Sequence, residues 1–109
     1  MEKICPITKI LSYLSKKWTL LILRELHNNG TKRFNDLIRE MKNISSRTLS
    51  KRLKELEKLE LVSRKRFNEI PPRVEYSLTN KGKELIKCFK YLDIWARKFD
   101  VTNLGEIIS

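Results

Sequence analysis

Glycine is scarce in this chain, and its scarcity excludes the common nucleotide-binding loops. Only Gly30, Gly82 and Gly105 occur among the 109 residues, and no two of them are close in sequence. Glycine-rich phosphate-binding loops need several glycines within a few residues. A nucleotide cofactor held by such a loop is therefore excluded.

Long apolar runs are also missing. The longest uninterrupted run is Leu20–Leu23, far short of the roughly 20 residues that a membrane-spanning helix needs. No apolar stretch typical of a signal peptide follows the first few residues. The length of 109 residues and the hydrophobic fraction of 40% suit a single domain with its own core, and no membrane partner is expected.

Positive charge is abundant and unevenly distributed. The formal net charge is +11. Residues 32–73 carry 13 basic and 6 acidic side chains, a net charge of +7, whereas the remaining 67 residues carry a net charge of only +4. A concentrated basic segment indicates a polyanionic partner, although composition alone fits a generic solvated surface equally well.

Apolar spacing predicts three helices in the first part of the chain. Pro6 suits the first position of a helix because its missing N–H would be unpaired there anyway. Apolar residues then recur at helical spacing in three segments, Ile7 to Leu14, Trp18 to Leu26 and Phe34 to Met41. The second helix, with Trp18, Leu21, Ile22 and Leu26 on one face, is expected to be the most buried.

The second part of the chain predicts a capped helix, a hairpin and a long final helix. Ser45 or Ser46 can cap a helix that continues to about residue 60. Residues 61–67 and 73–78 read as two strands, the second of which alternates in polarity, around a turn-rich connection. Thr79 can cap a helix that ends near residue 100. We therefore predict a mainly α fold with a small β-hairpin, a winged helix-turn-helix with an N-terminal helix and a long C-terminal dimerisation helix, over residues 5–103.

The capped helix has two opposed faces. At about 100° per residue, its leucines lie on one side, and the other side is basic and hydroxylic over three turns. The candidate DNA-binding residues of this helix are Ser46, Arg47, Ser50, Lys51, Lys54 and Lys58. Arginine can form a bidentate pair with guanine, serine allows close approach, and lysines reach phosphates. An ordinary solvated face would mix Glu with Lys, so we predict that this helix enters the major groove of double-stranded DNA.

A second basic cluster comprises Arg64, Lys65 and Arg66, which we expect where the hairpin protrudes. Arginines at such a position can enter a minor groove or hold the phosphates beside it. The cluster therefore predicts a wing that positions the protein on DNA.

Motifs along nearly the whole chain resemble those of HxlR-type transcription regulators, a family of small bacterial and archaeal winged helix-turn-helix proteins. The similar segments are Cys5-Pro6, Lys17-Trp18, Leu20–Leu23, Arg33–Leu37, Ile44-Ser45 with Leu49, Leu53 and Leu56, and Pro71–Thr79 with Gly82. The string from Pro71 to Thr79 is the most specific. Ser15-Lys16 departs from the family, which often has a glycine before Lys17-Trp18.

The resemblance implies a homodimeric DNA-binding regulator that acts in the cytoplasm. We expect a repressor-like role, although the sequence does not distinguish repression from activation. It matches the helix around Arg47, Ser50 and Lys51 to the family's recognition helix and the segment from Arg64 to Arg73 to its wing. Some members sense oxidants or electrophiles through a cysteine near the position of Cys5.

The last predicted helix also indicates a dimer by its own pattern. The apolar residues Leu85, Cys88, Leu92, Trp95 and Phe99 recur at spacings of three and four. This coiled-coil-like seam has more apolar surface than one small domain can cover. It could fold back on its own core, but we expect it to pair with a second copy, helped by Ile7 and Leu11 of the first helix. A two-fold dimer predicts a palindromic operator.

The two cysteines form no metal or redox pair by spacing. Cys88 is expected to be a small core residue within the seam. Cys5 lies at the start of a helix with Lys3 and Lys9 nearby, which favours a thiolate. It could be a redox sensor, or its role could be structural or incidental.

No catalytic group is evident in the sequence. His27 is the single histidine and suits a capping or surface role near a helix end, and no carboxylate pair, nucleophile with a base, or metal-ligand cluster stands out. We therefore expect no enzyme, no metal and no cofactor. The leading hypothesis is a sequence-specific DNA-binding regulator with an unknown small-molecule or oxidant effector. The alternatives are a basic interaction module for an acidic protein and a nonspecific nucleic-acid-binding domain.

Overall fold

The computed structural model describes residues 6–99, which form five helices and three strands. In chain order these are α1 (Pro6–Leu14), α2 (Thr19–Asn29), β1 (Lys32–Arg33), α3 (Phe34–Glu40), α4 (Ser46–Lys58), β2 (Val62–Phe67), β3 (Arg73–Leu78) and α5 (Asn80–Lys98). The predicted order of helices, hairpin and long final helix is therefore confirmed over these residues.

The turns between the helices use backbone conformations with positive φ. Gly30 ends α2 with φ 74°, as expected for a helix stop rich in asparagine and glycine. Asn43 turns the chain between α3 and α4 with φ 75°. Trp18, immediately before α2, and Glu60, after α4, have φ 80° and φ 61°. These local reversals let four short helices fold against one another.

A single cluster of apolar side chains forms the core of the described residues. Its fully buried members are contributed mainly by α2, α3 and α4: Ile22, Leu23, Leu37, Leu49, Leu53 and Leu56. Val62 and Leu78, which lie opposite each other at the base of the wing hairpin, also belong to the cluster. The base of the hairpin therefore packs against α4 through the core.

The sheet has three antiparallel strands in the order β1-β3-β2. The sequence predicts only a two-stranded hairpin, and residues 31–33 fall in the link between the second and third predicted helices. In the structure Lys32 pairs with Tyr76 and Arg33 with Glu75, so the link is a third strand. A two-residue strand has no polarity pattern of its own, and its pairing depends on where β3 lies.

Gly82 allows α5 to begin directly against the turn that follows α4. A Cβ atom at Gly82 would collide with the backbone carbonyl oxygen of Leu61. Thr79 caps the helix by accepting a hydrogen bond from Gly82 N at 3.0 Å, and its hydroxyl donates to the Glu60 carbonyl at 2.6 Å. The cap therefore also holds α5 to the end of α4.

The second helix differs from its predicted orientation. Thr19, Ile22, Leu23 and Leu26 are buried, whereas Leu20 and Leu21 are 40% and 50% exposed. Leu21 was expected on the buried face, and this expectation is wrong because α2 turns Leu23 inward instead. Within residues 6–99, no helix has the combination of length and apolar character that crossing a membrane requires.

Candidate nucleic-acid interface

Helix α4 is fixed on one side by leucines and begins at a well-formed cap. Leu49, Leu53 and Leu56 are all buried in the core. Ser45 is the cap, and its Oγ accepts a hydrogen bond from Thr48 N at 3.1 Å. Because the leucines set the rotation of the helix, its opposite face must point outward.

The outward face of α4 carries the six candidate residues. Five are exposed and Ser50 is half-buried: Ser46, Arg47, Ser50, Lys51, Lys54 and Lys58. Among residues 6–99, none of its four cations forms an ion pair. The helix therefore presents uncompensated positive charge along its length, with its N-terminus adding partial positive charge at one end.

One acid of α4 is held away from this face. The Glu55 carboxylate accepts hydrogen bonds from Lys16 Nζ at 2.8 Å and from Arg52 Nη1 at 3.0 Å, and Arg52 Nε donates to the Lys17 carbonyl at 2.9 Å. The hydrogen bond from Lys16, with a further one from Arg52, holds the pKa of Glu55 below its usual value of 4.5. We call these four residues the turn clamp, since they tie α4 to the turn between α1 and α2.

The turn clamp was not predicted from the sequence. The spacing of Arg52 and Glu55 by three residues on one helix could have indicated their pairing. The partner Lys16 lies 39 residues away from Glu55 along the chain, and only the fold brings it near. Lys16 occupies the segment where the chain departs from the family's frequent glycine, so this departure adds an ion pair to α4.

The wing carries its basic cluster inside a strand. Arg64, Lys65 and Arg66 belong to β2 and lie opposite Tyr76, Glu75 and Val74. We expected them where the hairpin protrudes, but the connecting loop is residues 68–72, so this detail is wrong. Because side chains alternate along a strand, Arg64 and Arg66 share one face of the wing and Lys65 lies on the other. All three side chains are exposed.

The outer end of the hairpin is braced by a second arginine network. The Arg73 guanidinium lies 4.0 Å from the centre of the Phe67 ring, and its nitrogens lie 3.0 Å from Glu69 and 3.3 Å from Glu75. Burial raises the pKa of Tyr76 above its usual value of 10.0, against the opposing effect of nearby Arg64. The contacts of Arg73 join both strands of the wing to its loop, and they were not predicted from the sequence.

The HxlR-like helix-turn-helix family model matches residues 13–103 of the chain, which includes α2 to α5 and the wing. The chain belongs to this family. It is a transcriptional regulator of the HxlR type, as the motifs from Lys17-Trp18 to Gly82 predict.

Similar proteins include regulators with solved structures. The chain is 44% identical over 82 residues to an HTH-type transcriptional regulator of Synechocystis sp., matching 75% of this chain and 60% of that protein's length. It is 40% identical over 96 residues to the HTH-type transcriptional regulator YodB of Bacillus subtilis, matching 87% of this chain and 85% of YodB. The reduced form of YodB superposes with a TM-score of 0.79 at 39% identity, covering 89% of this chain and 95% of that one. The reduced form of the redox regulator HypR gives a TM-score of 0.80 at 30% identity, covering 93% and 99%.

The predicted dimerisation residues of this HxlR-type chain are mostly exposed. Leu92 and Trp95 on α5, and Phe99 immediately after it, are each more than half exposed, and so are Ile7 and Leu11 on α1. The rings of Trp95 and Phe99 lie 5.5 Å apart between centres. Leu85 packs against the core instead, so the seam surface that is available to a second copy lies mainly on the second half of α5.

The environments predicted for the two cysteines and the histidine can be compared with the structure one by one. Cys88 was expected to be a core residue, but its side chain is exposed, because this part of α5 turns Leu85, Ile86 and Phe89 toward the core instead. His27 is exposed in the last turn of α2. Cys5, the candidate redox sensor, lies outside the described residues. Over residues 6–99, no group of three or more His, Cys, Asp or Glu side chains is arranged to hold a metal ion.

Proposed function

We propose that this protein is a dimeric, sequence-specific DNA-binding regulator that acts on a palindromic operator. In this proposal α4 enters the major groove, and residues 61–78 contact the adjacent groove or the sugar-phosphate backbone. The domain that carries the activity spans residues 5–103.

The observation that carries the proposal is the uncompensated charge of α4. Arg47, Lys51, Lys54 and Lys58 are exposed on one face, while the neighbouring acid Glu55 is held by Lys16 and Arg52. A generic solvated helix would neutralise such a row with its own acids. Here the row itself contains no acid, and the flanking Glu55 is paired with Lys16 and Arg52 instead, which favours a polyanionic partner.

Base selectivity requires groups that reach base edges. Arg47 lies in the first turn of α4, close to the capped N-terminus, where recognition helices contact bases. Its guanidinium matches the two acceptors of guanine in the major groove. Lys58 lies in the last turn, and we expect it to contact phosphates alone.

The exposed apolar residues of α5 and α1 support the dimer. Monomeric soluble proteins seldom expose contiguous apolar patches of this kind. A two-fold axis through the seam would repeat α4 at successive major grooves, roughly 34 Å apart. Each half of a palindrome would then meet one copy of the helix.

The decisive experiment selects bound sequences from random duplex DNA and then compares the selected operator with scrambled DNA at the same salt. We expect a preference of about 10³-fold or more for the operator. Equal binding of both would instead support a nonspecific nucleic-acid-binding domain. Failure to bind either would favour the basic interaction module for an acidic protein.

Two alanine substitutions test the separate roles along α4. Arg47→Ala should weaken operator binding by roughly 1–3 kcal/mol and relax the base preference at one position per half-site. Lys58→Ala should weaken operator and scrambled DNA about equally. Lys87→Ala is the matched control, because it removes one positive charge from α5, where Lys87 pairs with Glu84. The proposal fails if Arg47→Ala weakens operator and scrambled DNA equally, and by no more than Lys87→Ala does.

We infer a redox response of operator binding through Cys5 as a second candidate function. It is supported by the similarity to YodB, whose structures include a reduced form and a diamide-treated form, and to the redox regulator HypR. The position of Cys5 just before α1, with Lys9 on that helix, favours a reactive thiolate.

Cys5→Ser should abolish the response of operator affinity to diamide while leaving affinity under reducing conditions unchanged. Cys88→Ser is the matched control and should respond as the wild type does, because it retains Cys5. Mobility shifts of the operator with and without diamide provide the measurement. A response that persists in Cys5→Ser would refute this function for Cys5.

A further inference from the structure

A groove of about 870 Å³ lies between α2 and α5, apart from the basic face of α4. Leu20 and Leu21 contribute apolar surface from α2, and Ile86 and Phe89 contribute it from α5. Leu20 and Leu21 are exposed, and Ile86 and Phe89 also pack against the core. The groove therefore has apolar side chains on both walls and the size of a small-molecule site.

The charges around the groove are predominantly positive. Arg24 on α2 and Lys90 on α5 both line the groove, and within the described part of the chain neither has a carboxylate partner. The one acidic lining residue, Asp93, is bound by Arg97 at 3.0 Å. Each wall thus supplies one cation that is available to an anion.

The groove and the predicted dimer seam use different sides of α5. At about 100° per residue, the mean direction of Ile86, Phe89, Lys90, Asp93 and Arg97 lies roughly 140° from that of the seam residues. A second copy bound at the seam would therefore not enter the groove along this helix.

We propose that this groove binds an amphipathic organic anion, with a planar apolar body between the two helices and a carboxylate held by Arg24 and Lys90. Leu21 and Phe89 match the apolar body, and a guanidinium and an ammonium from opposite walls match the carboxylate. This site is separate from the proposed DNA contacts, because its residues belong to neither α4 nor the wing.

Calorimetric titration of the free protein with 2-naphthoate and with its neutral counterpart 2-naphthamide tests the proposal. We expect naphthoate to bind about tenfold more tightly than naphthamide, with the difference falling as salt is added. Arg24→Gln combined with Lys90→Gln should remove this preference and leave naphthamide binding unchanged. Lys81→Gln is the control for loss of positive charge and should retain the preference.

A second pair of variants tests the apolar wall and the location. Leu21→Glu places an acid in the wall and should weaken naphthoate more than naphthamide. Leu92→Ala, on the seam, should leave the affinity for both probes unchanged. Equal affinity for the two probes, or a preference that survives the double glutamine substitution, would overturn the proposal. Loss of naphthoate binding in Leu92→Ala would place the probe at the seam and would overturn it as well.

Discussion

At the scale of single residues, Gly82 is the position where the fold depends most directly on a missing side chain. A glycine within a helix normally costs about 1 kcal/mol relative to alanine, because it loses more backbone entropy on folding. At Gly82 this relation should reverse, because a Cβ atom would meet the Leu61 carbonyl oxygen, which is backbone and cannot rotate away. The contact lies beside the Thr79 cap, so displacement of α5 would also strain the hydrogen bonds of Thr79 to Glu60 and Gly82.

We therefore expect Gly82→Ala to lower the free energy of unfolding by about 2 kcal/mol, in the range of an overpacked interior. For a domain of this size, the melting temperature should fall by roughly 10 °C. Lys83→Ala is the matched control at the next, exposed position, and it should leave the melting temperature nearly unchanged. Thermal unfolding followed by circular dichroism measures both. A Gly82→Ala protein as stable as the wild type would show that α5 can move aside at no cost.

At the scale of elements, the turn clamp couples the first two helices to the candidate recognition helix. Lys16 and the Lys17 carbonyl lie in the turn between α1 and α2, and both are bound by α4 through Glu55 and Arg52. Because α1 also carries predicted dimer residues, the clamp connects the expected dimer contact with the position of α4. Two elements that are distant in sequence are thereby held in one orientation.

Glu55→Gln should destabilise the protein modestly and should reduce its sensitivity to acid. The Lys16 hydrogen bond lowers the folded-state pKa of Glu55 below 4.5, so its contribution is present above pH 4.5 and is lost as the pH falls through the lowered pKa. We expect a loss of about 1 kcal/mol at neutral pH, because exposed pairs are weakened by solvent. Glu84→Gln, which removes a pair with the exposed Lys87, is the control and should have a smaller effect.

Urea unfolding at neutral pH and at several values below pH 4.5 distinguishes these variants. The wild type should lose stability relative to Glu55→Gln as the pH falls, so that the difference between them narrows. A constant difference at every pH would contradict the role of the Glu55 charge in the clamp.

At the scale of the whole molecule, the apolar seam of α5 is left exposed to solvent in a single chain. Leu92, Trp95 and Phe99 are each more than half exposed, although burial of such side chains gives up to about 1.5–3 kcal/mol each. A second copy of the chain can bury them and can also repeat the basic face of α4. Operator recognition is therefore expected to depend on the seam indirectly, because dimerisation at the seam brings two copies of α4 to the operator.

Leu92→Asp should convert a dimer into a monomer at micromolar concentration, because pairing would bury an unneutralised carboxylate in the seam. Operator affinity should fall strongly, since each monomer then contacts one half-site. Sedimentation velocity measures the oligomeric state, with Ile70→Asp as a matched control at a fully exposed apolar residue of the wing loop. A wild-type monomer at this concentration that still binds its operator tightly would contradict the dimer.

The secondary structure and the outward face of α4 were predictable from the sequence. The leucine spacing from Leu49 to Leu56 determines which way the helix turns, and the basic residues follow on the opposite side. Ser45 and Thr79 cap their helices as expected because capping is a local interaction. The family resemblance carried by Pro71–Thr79 agrees with the HxlR-like match.

The remaining features depend on contacts between residues that are far apart in the chain. The strand at Lys32–Arg33 exists because β3 lies beside it, and Lys16 meets Glu55 only once α4 packs against the first helices. Leu21 was predicted on the buried face of an all-apolar run, where periodicity cannot choose between Leu21 and Leu23. Cys88 was likewise assigned to the core by spacing, whereas the fold of one chain leaves it exposed.

The sequence by itself determined the order of the elements, their caps and the basic face of α4, because each depends on residues within one or two helical turns. The tertiary structure alone decided the turn clamp, the third strand, the braced wing and the groove between α2 and α5. These features join segments that are separated by tens of residues, and their relative positions are set by packing, which no local pattern encodes.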